Sequence, residues 1–266
     1  MSAISYAVSD SLVLARRNLS HVRQVPERLI DVTVQPLMFV LLFAYVFGGA
    51  IALPGGGNYH EFLMGGIFVQ TMAFGIVGPA TGMATDLAEG LLDRLLSLPM
   101  ARPAFVLGHI LAEMASFVLA IAVMTVAGLI VGWTPHAGVL SVMGAYGLLL
   151  LFAFTILWVG MFVGLAARSA DAVTGIVFLV IFPLTFISNA FVPASTLPGV
   201  LKTFAEWNPI STQVAAVRHL FGNPEAATAA VWPMQHPVVA SLLWSLVILA
   251  AMVPLTLSVY RKRTRP

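Results

Sequence analysis

The sequence predicts an all-α polytopic membrane protein with six transmembrane helices, and three observations lead to this fold class. Hydrophobic residues make up 59% of the 266-residue chain and charged residues only 9%, against about 25% charged in an average soluble protein. Long apolar tracts contain no lysine or arginine, and the basic residues gather in alternate connections. The apolar runs are continuous rather than alternating with a two-residue period, which favours helices over a β-barrel.

Glycine, proline and polar clusters divide the apolar tracts into segments of about 20 residues or more, the length that crosses a bilayer. The chain has no cysteine, so a disulfide framework and a thiolate metal site are excluded. The predicted transmembrane domain covers residues 32–259, between an N-terminal segment 1–31 and a basic tail 260–266. Its predicted spans are 32–51, 62–85, 105–132, 139–166, 172–192 and 237–260.

The positions of the basic residues assign the orientation, because cytoplasmic connections carry an excess of lysine and arginine. With six spans, eleven of the 13 basic residues fall on one side of the membrane, and the other side holds Lys202 and Arg218. We therefore expect a multi-pass protein of the plasma (inner) membrane with both termini in the cytoplasm. The first 31 residues lack an apolar core and a small-residue cleavage site, so no cleavable signal peptide is expected.

The N-terminal stretch 9–25 has apolar residues at helical spacing and ends at Pro26. This pattern is typical of an amphipathic helix that lies in the cytoplasmic interface, with arginines toward anionic headgroups. The alternative is a basic anchor that only sets the topology. The arginines assigned to the headgroup side are Arg16, Arg17 and Arg23.

A connection on the predicted cytoplasmic side, residues 86–102, contains a helix-compatible run from Leu87 to Leu98 that Pro99 stops. A soluble partner with a groove could bind this short helix through its leucines and its charged side chains. The alternative is a helix hairpin that merely keeps its polar groups in water.

The external stretch 193–236 is long for an unstructured loop. Apolar residues at helical spacing predict one short helix over 197–206 and a second over 211–221, neither long enough to span. We expect a re-entrant helical hairpin between spans five and six, shielded from lipid by the rest of the protein.

Several classes of function find no support in the sequence. The chain has only two lysines, Lys202 and Lys262, and neither follows a phosphate-binding glycine-rich loop. An ion-coupled carrier is disfavoured because no ionisable residue is predicted near the midplane of the membrane. A channel is also disfavoured, since a ring of polar pore residues is not evident in the predicted spans. His109 and Glu113 are four residues apart on one helix face, which fits an interfacial polar pair or, alternatively, a proton relay.

Two groups of small or polar residues in the spans are candidate contact surfaces. Glycines and threonines in span two form a small-residue face that allows close helix approach. This face is expected to serve either for packing inside the bundle or as a subunit interface or translocation wall. The polar groups near the outer end of span five are expected either to line an exit path or to form hydrogen bonds with the helix end. The residues concerned are Gly75, Gly78, Pro79, Ser188 and Asn189.

Three motifs together resemble the daunorubicin-resistance type of ABC-2 transporter permeases. Residues 34–48, VQPLMFVLLFAYVFG, are similar to the first span of that family. Residues 89–99, EGLLDRLLSLP, look like its cytoplasmic Glu-x-Gly…Arg-Leu-x-x-x-Pro loop, although here the glycine directly follows the glutamate. The external signature is matched by 188–193, SNAFVP, by Leu197-Pro198 and by 207–210, WNPI.

The resemblance implies partners that the residues alone do not reveal. The 86–102 segment would be a coupling helix seated on a separate ATP-binding subunit, which holds the ATP and magnesium, so no cofactor is expected in this chain and it is not itself an enzyme. A second permease subunit, identical or different, and membrane lipids are the other expected partners; no nucleic acid is. The residues carried over to coupling are Glu89, Gly90, Asp93, Arg94, Leu95 and Pro99, and those of an external gate hairpin are Pro198, Trp207, Asn208 and Pro209.

The resemblance thus predicts the permease subunit of an ATP-driven exporter that moves an amphipathic drug or lipid-like substrate outward. An exporter of a glycolipid or polysaccharide-linked lipid is the alternative within the same fold. A secondary carrier or a membrane scaffold outside the ABC class is the more distant alternative.

Overall fold

The computed structural model describes residues 26–47, 59–91, 104–223 and 231–263, and the regular elements in those ranges are helical. The first helix continues into a π-helical turn at Leu42–Phe47, and a 3-10 turn occupies Ala194–Thr196. The α-helices are α1 (Pro26–Leu41), α2 (Tyr59–Phe74), α3 (Val77–Ala88), α4 (Ala104–Val131), α5 (Val139–Ala166), α6 (Ala170–Phe186), α7 (Gly199–Trp207), α8 (Pro209–Phe221), α9 (Trp232–Gln235) and α10 (Pro237–Arg263).

Four helical segments of the described chain are long and apolar enough to cross a membrane. They coincide with the predicted second, third, fourth and sixth spans. Two shorter apolar helices, Val34–Val46 and Ala170–Phe186, lie where the first and fifth spans are predicted. The chain is therefore a polytopic helical membrane protein. The four long segments are Tyr59–Ala88, Phe105–Val131, Val139–Ala166 and Pro237–Arg263.

The second span is kinked in its middle, where a turn at Gly75 and Ile76 separates α2 from α3. Pro79 explains the position of the kink, because proline has no N–H and its ring collides with the carbonyl four residues earlier, that of Gly75. The Gly75 N–H still donates to the Thr71 carbonyl at 2.9 Å, so the chain bends without unwinding.

Helix α5 lies at the centre of the bundle and packs against α3, α8 and α10. The approach to α3 is close: a Cβ on Gly164 would lie 2.5 Å from the Ala80 carbonyl oxygen. Small residues at such crossings let helix backbones approach in lipid, where dispersion contacts replace the hydrophobic effect as the driving force.

The fifth span ends earlier than predicted. Helix α6 stops at Phe186, and residues 187–192 form turns rather than the last part of a span that reaches 192. Pro183 removes one helical hydrogen bond in the last turn of α6. The carbonyls of Leu184 and Ile187 then accept from the side-chain amide of Asn208, at 2.7 and 2.9 Å, so the helix terminus is satisfied by a residue from another element.

The pair of short helices predicted between spans five and six is present, with boundaries shifted by two residues or fewer. Helix α7 runs over Gly199–Trp207 and α8 over Pro209–Phe221, against the predicted 197–206 and 211–221. Helix α8 packs against α2, α5 and α10. It is therefore buried inside the bundle, whereas Val200 of α7 stays 86% exposed.

Candidate functional site

A cavity of about 450 Å³ lies between α1, the kinked α2–α3 segment and α4. It is within the range of drug-sized ligand sites, about 300–1,000 Å³. Gly75, in the turn between α2 and α3, forms part of its wall. Its lining residues are Gln35, Pro36, Phe39, Gln70, Thr71, Phe74, Gly75, Val77, Gly78, Pro79, Thr81, Glu113, Ser116, Phe117 and Ala120.

The polar groups of this cavity are of a restricted kind. Glu113 supplies the one carboxylate among the described lining residues, and none of those residues is a lysine, arginine or histidine. Gln70 is only 3% exposed, and its Nε2 has no hydrogen-bond partner. A buried N–H without a partner costs about 1–3 kcal/mol, so the Gln70 amide is a donor that an incoming acceptor would satisfy.

The cavity lies in the half of the bundle that contains the end of α3. Gly78 is eight residues before Asp86, which places it about 12 Å from that residue along the helix axis. Glu113 follows His109 by about one helical turn. Asp86 and His109 join the two helices at this end, with the Asp86 Oδ2 3.0 Å from the His109 Nε2.

This pairing refines the sequence-based reading of His109 and Glu113 as one polar pair. The Nε2 atom of His109 contacts the carboxylate of Asp86 in the preceding span, while Glu113 lines the cavity. The two residues on one helix face thus serve different neighbours.

Beyond Asp86 the second span ends in a tight turn. The Glu89 N–H donates to the Thr85 carbonyl at 2.9 Å, and the Gly90 N–H to the Leu87 carbonyl at 3.2 Å. Gly90 has a φ of +69°, a left-handed conformation that favours glycine and ends a helix. The prediction that a separate helical run begins at Leu87 is therefore wrong at its start, because Leu87 and Ala88 are the last residues of α3.

Part of the predicted coupling site lies outside the described residues. Glu89 is exposed at the turn, next to Gly90. The remaining coupling residues Asp93, Arg94, Leu95 and Pro99, and the interface-helix arginines Arg16, Arg17 and Arg23, fall outside the described ranges.

At the opposite end of the bundle, Arg218 of α8 is 1% exposed. Its Nε donates to the Phe62 carbonyl at 2.7 Å and its Nη2 to the Ala190 carbonyl at 2.9 Å. The guanidinium carbon lies 3.5 Å from the centroid of the Phe62 ring. Arg218 therefore ties α8 to the start of α2 and to the turns after α6, and the close fit leaves 2.6 Å between its Cγ and a Cβ on Gly65.

A second polar network closes the same end. The carboxylate of Glu61 accepts from the Asn223 Nδ2 at 3.2 Å and lies 3.0 Å from the His136 Nε2. The Asn223 Oδ1 accepts from the Trp133 indole at 3.3 Å. Gly222, with a φ of +77°, ends α8 so that the connection between α4 and α5 can pack against it.

The residues predicted for an external gate are brought together only in part. Asn208 is 2% exposed; besides holding the end of α6, its Oδ1 accepts from the Ile210 N–H at 2.9 Å and caps α8. Pro209 occupies the first turn of α8 and Pro198 precedes α7. Trp207 stays 53% exposed at the end of α7.

The five candidate contact residues of the spans separate into two places. Gly75, Gly78 and Pro79 line the cavity. Ser188 and Asn189 are buried beside α8, where the Asn189 N–H donates to the Ser211 hydroxyl at 3.1 Å. They support the hairpin and do not share a surface with the glycines.

Sequence reasoning missed Gln70, the role of Glu113 and the burial of Arg218. One signal was available for Gln70, the single amide side chain within the predicted span 62–85. Arg218 carried a similar signal, as a charge in an otherwise apolar or neutral helix of 13 residues.

Comparison with known proteins places this architecture in a family. Residues 10–221 match the model of the ABC-2 type transporter family. The daunorubicin resistance ABC transporter permease protein DrrB1 of Streptomyces coeruleorubidus is 34% identical over 97% of this chain and 88% of its own length. The doxorubicin resistance ABC transporter permease protein DrrB of Mycobacterium tuberculosis is 25% identical over 81% of this chain and 77% of its own length.

These matches, with the helical membrane-spanning architecture, bear out the resemblance seen in the sequence and the predicted function class. Permeases of this kind work with an ATP-binding subunit that is a separate chain, so ATP hydrolysis is not the task of these helices. The chain belongs to the ABC-2 type transporter family and is the membrane-spanning permease component of an ABC exporter.

Proposed function

We propose that the protein moves an amphipathic drug from the cytoplasmic side of the membrane outward, driven by ATP hydrolysis on a separate subunit. The observation that carries this proposal is the continuity of one element: the kinked span of α2 and α3 lines the cavity along one part and ends in the exposed Glu89–Gly90 turn. A displacement of that turn would be transmitted to the cavity along the last two or so turns of α3, and the shape of the cavity would change.

The proposal includes a six-span topology with both termini in the cytoplasm, supported by the distribution of basic residues. Helix ends that this topology assigns to the cytoplasm meet in two pairs. Asp86 pairs with His109, and the Arg263 Nη2 lies 3.5 Å from the Ala167 carbonyl oxygen. Helices α7 and α8 are then the two arms of a re-entrant hairpin in the outer half.

The working complex in this proposal contains two permease subunits, identical or different, and two ATP-binding subunits. The segment from Glu89 to Pro99 is the coupling element, and the arginines of the N-terminal stretch provide a second contact near the membrane surface. The size of the cavity favours a compact drug over a polysaccharide-linked lipid, and drug resistance is what the names of the similar permeases describe.

Mutation of the coupling turn tests the proposal. We expect Glu89→Ala and Arg94→Ala to leave membrane insertion and ATPase co-purification measurable, but to reduce drug export by tenfold or more per ATP hydrolysed. The measurement is ATP-dependent drug uptake into inside-out vesicles, together with phosphate release.

Asp171→Ala is the matched control, since Asp171 is an exposed carboxylate at the start of α6 on the same proposed side. It should keep the wild-type ratio of export to hydrolysis. Normal export by both coupling variants would remove the coupling role from this turn, and export by the chain without any ATP-binding subunit would reject ATP-driven transport.

A further inference from the structure

A second cavity, of about 380 Å³, lies against the last three turns of α10. Its described lining residues all belong to this helix and recur at three- and four-residue intervals, so they share one helix face. They are Pro254, Leu257, Ser258, Arg261 and Lys262. We call this surface the α10 groove.

The α10 groove faces away from the bundle. The packed side of the same helical turns is marked by Thr256 and Tyr260, which are buried. Successive residues of a helix are rotated by about 100°, so Ser258 and Lys262, each two residues further on, lie on the opposite side. Both are exposed. In a spanning helix this side borders on lipid rather than on the protein core.

The chemical character of the groove changes along the helix axis. Pro254 and Leu257 are apolar, Ser258 carries a hydroxyl, and Arg261 and Lys262 are cationic. Pro254 and Lys262 are about 12 Å apart along the axis. The headgroup region adds about 5–8 Å to each side of the hydrocarbon core, so this change spans the depth from the upper acyl chains to the headgroups of one leaflet.

The charge of the groove favours an anion. The described lining contains two cations and no carboxylate, and α10 itself has no Asp or Glu. The C-terminus of a helix carries roughly half a negative charge, which the three basic residues of the last turn, Arg261, Lys262 and Arg263, outweigh. Arg261 has a further interaction in the structure, so we assign the ligand contacts to Lys262 and Ser258.

The position of the groove favours a lipid over a soluble anion. Helix α10 coincides with the predicted sixth span, and the distribution of basic residues puts its end in the cytoplasmic leaflet. That leaflet has a negative surface potential from its anionic lipids. A soluble phosphate compound would leave Pro254 and Leu257 uncovered, whereas a phospholipid acyl chain would cover them.

We propose that the α10 groove binds one anionic phospholipid of the cytoplasmic leaflet. The Lys262 ammonium pairs with the phosphate, the Ser258 hydroxyl donates to a phosphate or glycerol oxygen, and an acyl chain lies along Pro254 and Leu257. Basic pockets on the cytoplasmic side of membrane proteins bind lipid headgroups in this way. The inference uses the proposed orientation to choose the leaflet, and it depends on neither drug export nor a partner subunit.

Photolabelling locates the lipid. The full chain is reconstituted in phosphatidylcholine nanodiscs with a trace of phosphatidylglycerol that carries a diazirine near the start of one acyl chain. We expect the label, mapped by peptide mass spectrometry, to concentrate on residues 254–262. Unlabelled phosphatidylglycerol in place of part of the phosphatidylcholine should reduce it about threefold or more. Free glycerol 3-phosphate should not reduce it, and a photoreactive phosphatidylcholine should label these residues several-fold less.

Two variants assign the binding to the groove. Lys262→Gln should reduce the phosphatidylglycerol label about fivefold, the contribution of one basic residue near an anionic surface, and Ser258→Trp, which fills the groove, should reduce it at least as much. Arg168→Gln is the control for lost charge, since Arg168 is exposed on the same proposed side and does not line the groove. Leu246→Trp is the control for added volume, at a residue of α10 that is 63% exposed and outside the groove.

Wild-type labelling in Lys262→Gln or in Ser258→Trp overturns the proposal. Equal labelling by the two photoreactive lipids, or an even spread of label over the lipid-facing helices, also overturns it. A reduction of the label by glycerol 3-phosphate would assign the groove to a soluble anion instead. Thermal unfolding checks that each variant is folded, and the comparison of the two lipids on the unaltered chain decides the charge preference if a variant is not.

A second copy of the chain is the competing occupant of this face. The chain has no cysteine, so Ser258→Cys introduces a single thiol, and a disulfide between two such chains would place a second copy in the groove and reject the lipid. ATP-driven drug export without selective labelling would keep the proposed function and reject this site. Selective labelling without export would do the reverse.

Discussion

The two halves of the bundle use polar side chains in opposite ways. At the end that holds α8, Arg218 and Asn208 are almost completely buried, and each joins two or more elements through hydrogen bonds to carbonyls. In the other half, Gln70 and Glu113 line an open cavity, and the Gln70 Nε2 has no partner. One half is therefore held together by buried side-chain hydrogen bonds between elements, whereas the other half contains an open cavity.

The rigid half should be the more sensitive to loss of a single side chain. Arg218→Met removes a charged donor from the Phe62 and Ala190 carbonyls and leaves both buried without it. We expect a loss of about 3 kcal/mol or more in the free energy of unfolding, seen as a fall of about 10 °C in the thermal midpoint in nanodiscs.

Lys202→Met is the matched control in the neighbouring α7. Its Nζ lies 3.9 Å from the Glu206 Oε1, and nearly half of the lysine side chain is exposed although Glu206 is buried, so the loss should not exceed about 1 kcal/mol, or about 2–4 °C in the midpoint. Equal, small effects of both substitutions would show that the buried arginine does not hold the hairpin in place.

The same substitution at two glycines of one span should have opposite effects in the two halves. In Gly66→Ala the new Cβ would lie 2.0 Å from the Ala190 carbonyl oxygen, and separating these backbones should cost about 1–3 kcal/mol. In Gly78→Ala the Cβ meets open space, and the change should stabilise the helix by about 0.5–1 kcal/mol.

Thermal unfolding of the two glycine variants, side by side, measures this difference. A lowered midpoint for both would mean that the half with the cavity is as tightly packed as the half that holds α8, against the structural comparison.

Removal of the unpartnered amide should stabilise the protein in the absence of ligand. Gln70→Leu has a similar volume and leaves no N–H without a partner. We expect the free energy of unfolding to rise by about 1 kcal/mol, or about 2–4 °C in the midpoint, because binding sites are commonly less stable than they would be without their function.

Asn208→Leu is the contrasting variant. Its amide makes two bonds to carbonyls, and their loss should lower the midpoint. A destabilising effect of Gln70→Leu as large as that of Asn208→Leu would indicate that Gln70 is structural.

The helices themselves were largely predictable from the sequence. Continuous apolar tracts predict the long spans, and the spacing of apolar residues predicts α7 and α8 within two residues. The end of the fifth span was wrong because its termination depends on Asn208, which lies 24 residues beyond the Leu184 carbonyl that it holds. Hydrophobicity alone could not supply that contact.

The cavity and the buried arginine were not predictable, for a related reason. Arg218 can be buried because the carbonyls of Phe62 and Ala190, 156 and 28 residues earlier in the chain, accept its hydrogen bonds. In a membrane protein both lipid-facing and core-facing side chains are apolar, so periodicity does not distinguish a wall of the cavity from a surface in lipid. The interface-helix arginines and the residues from Asp93 to Pro99 stay predictions of the sequence.

The most direct test of the account is ATP-driven uptake of a fluorescent amphipathic drug into inside-out vesicles that contain this chain and its ATP-binding subunit. The account predicts uptake by the wild type and by Gly147→Leu, which adds the same volume outside the cavity, no uptake without the ATP-binding subunit, and uptake reduced tenfold or more by Gly78→Leu, which fills the cavity. Wild-type uptake by Gly78→Leu, or uptake in vesicles that contain this chain alone, would contradict it.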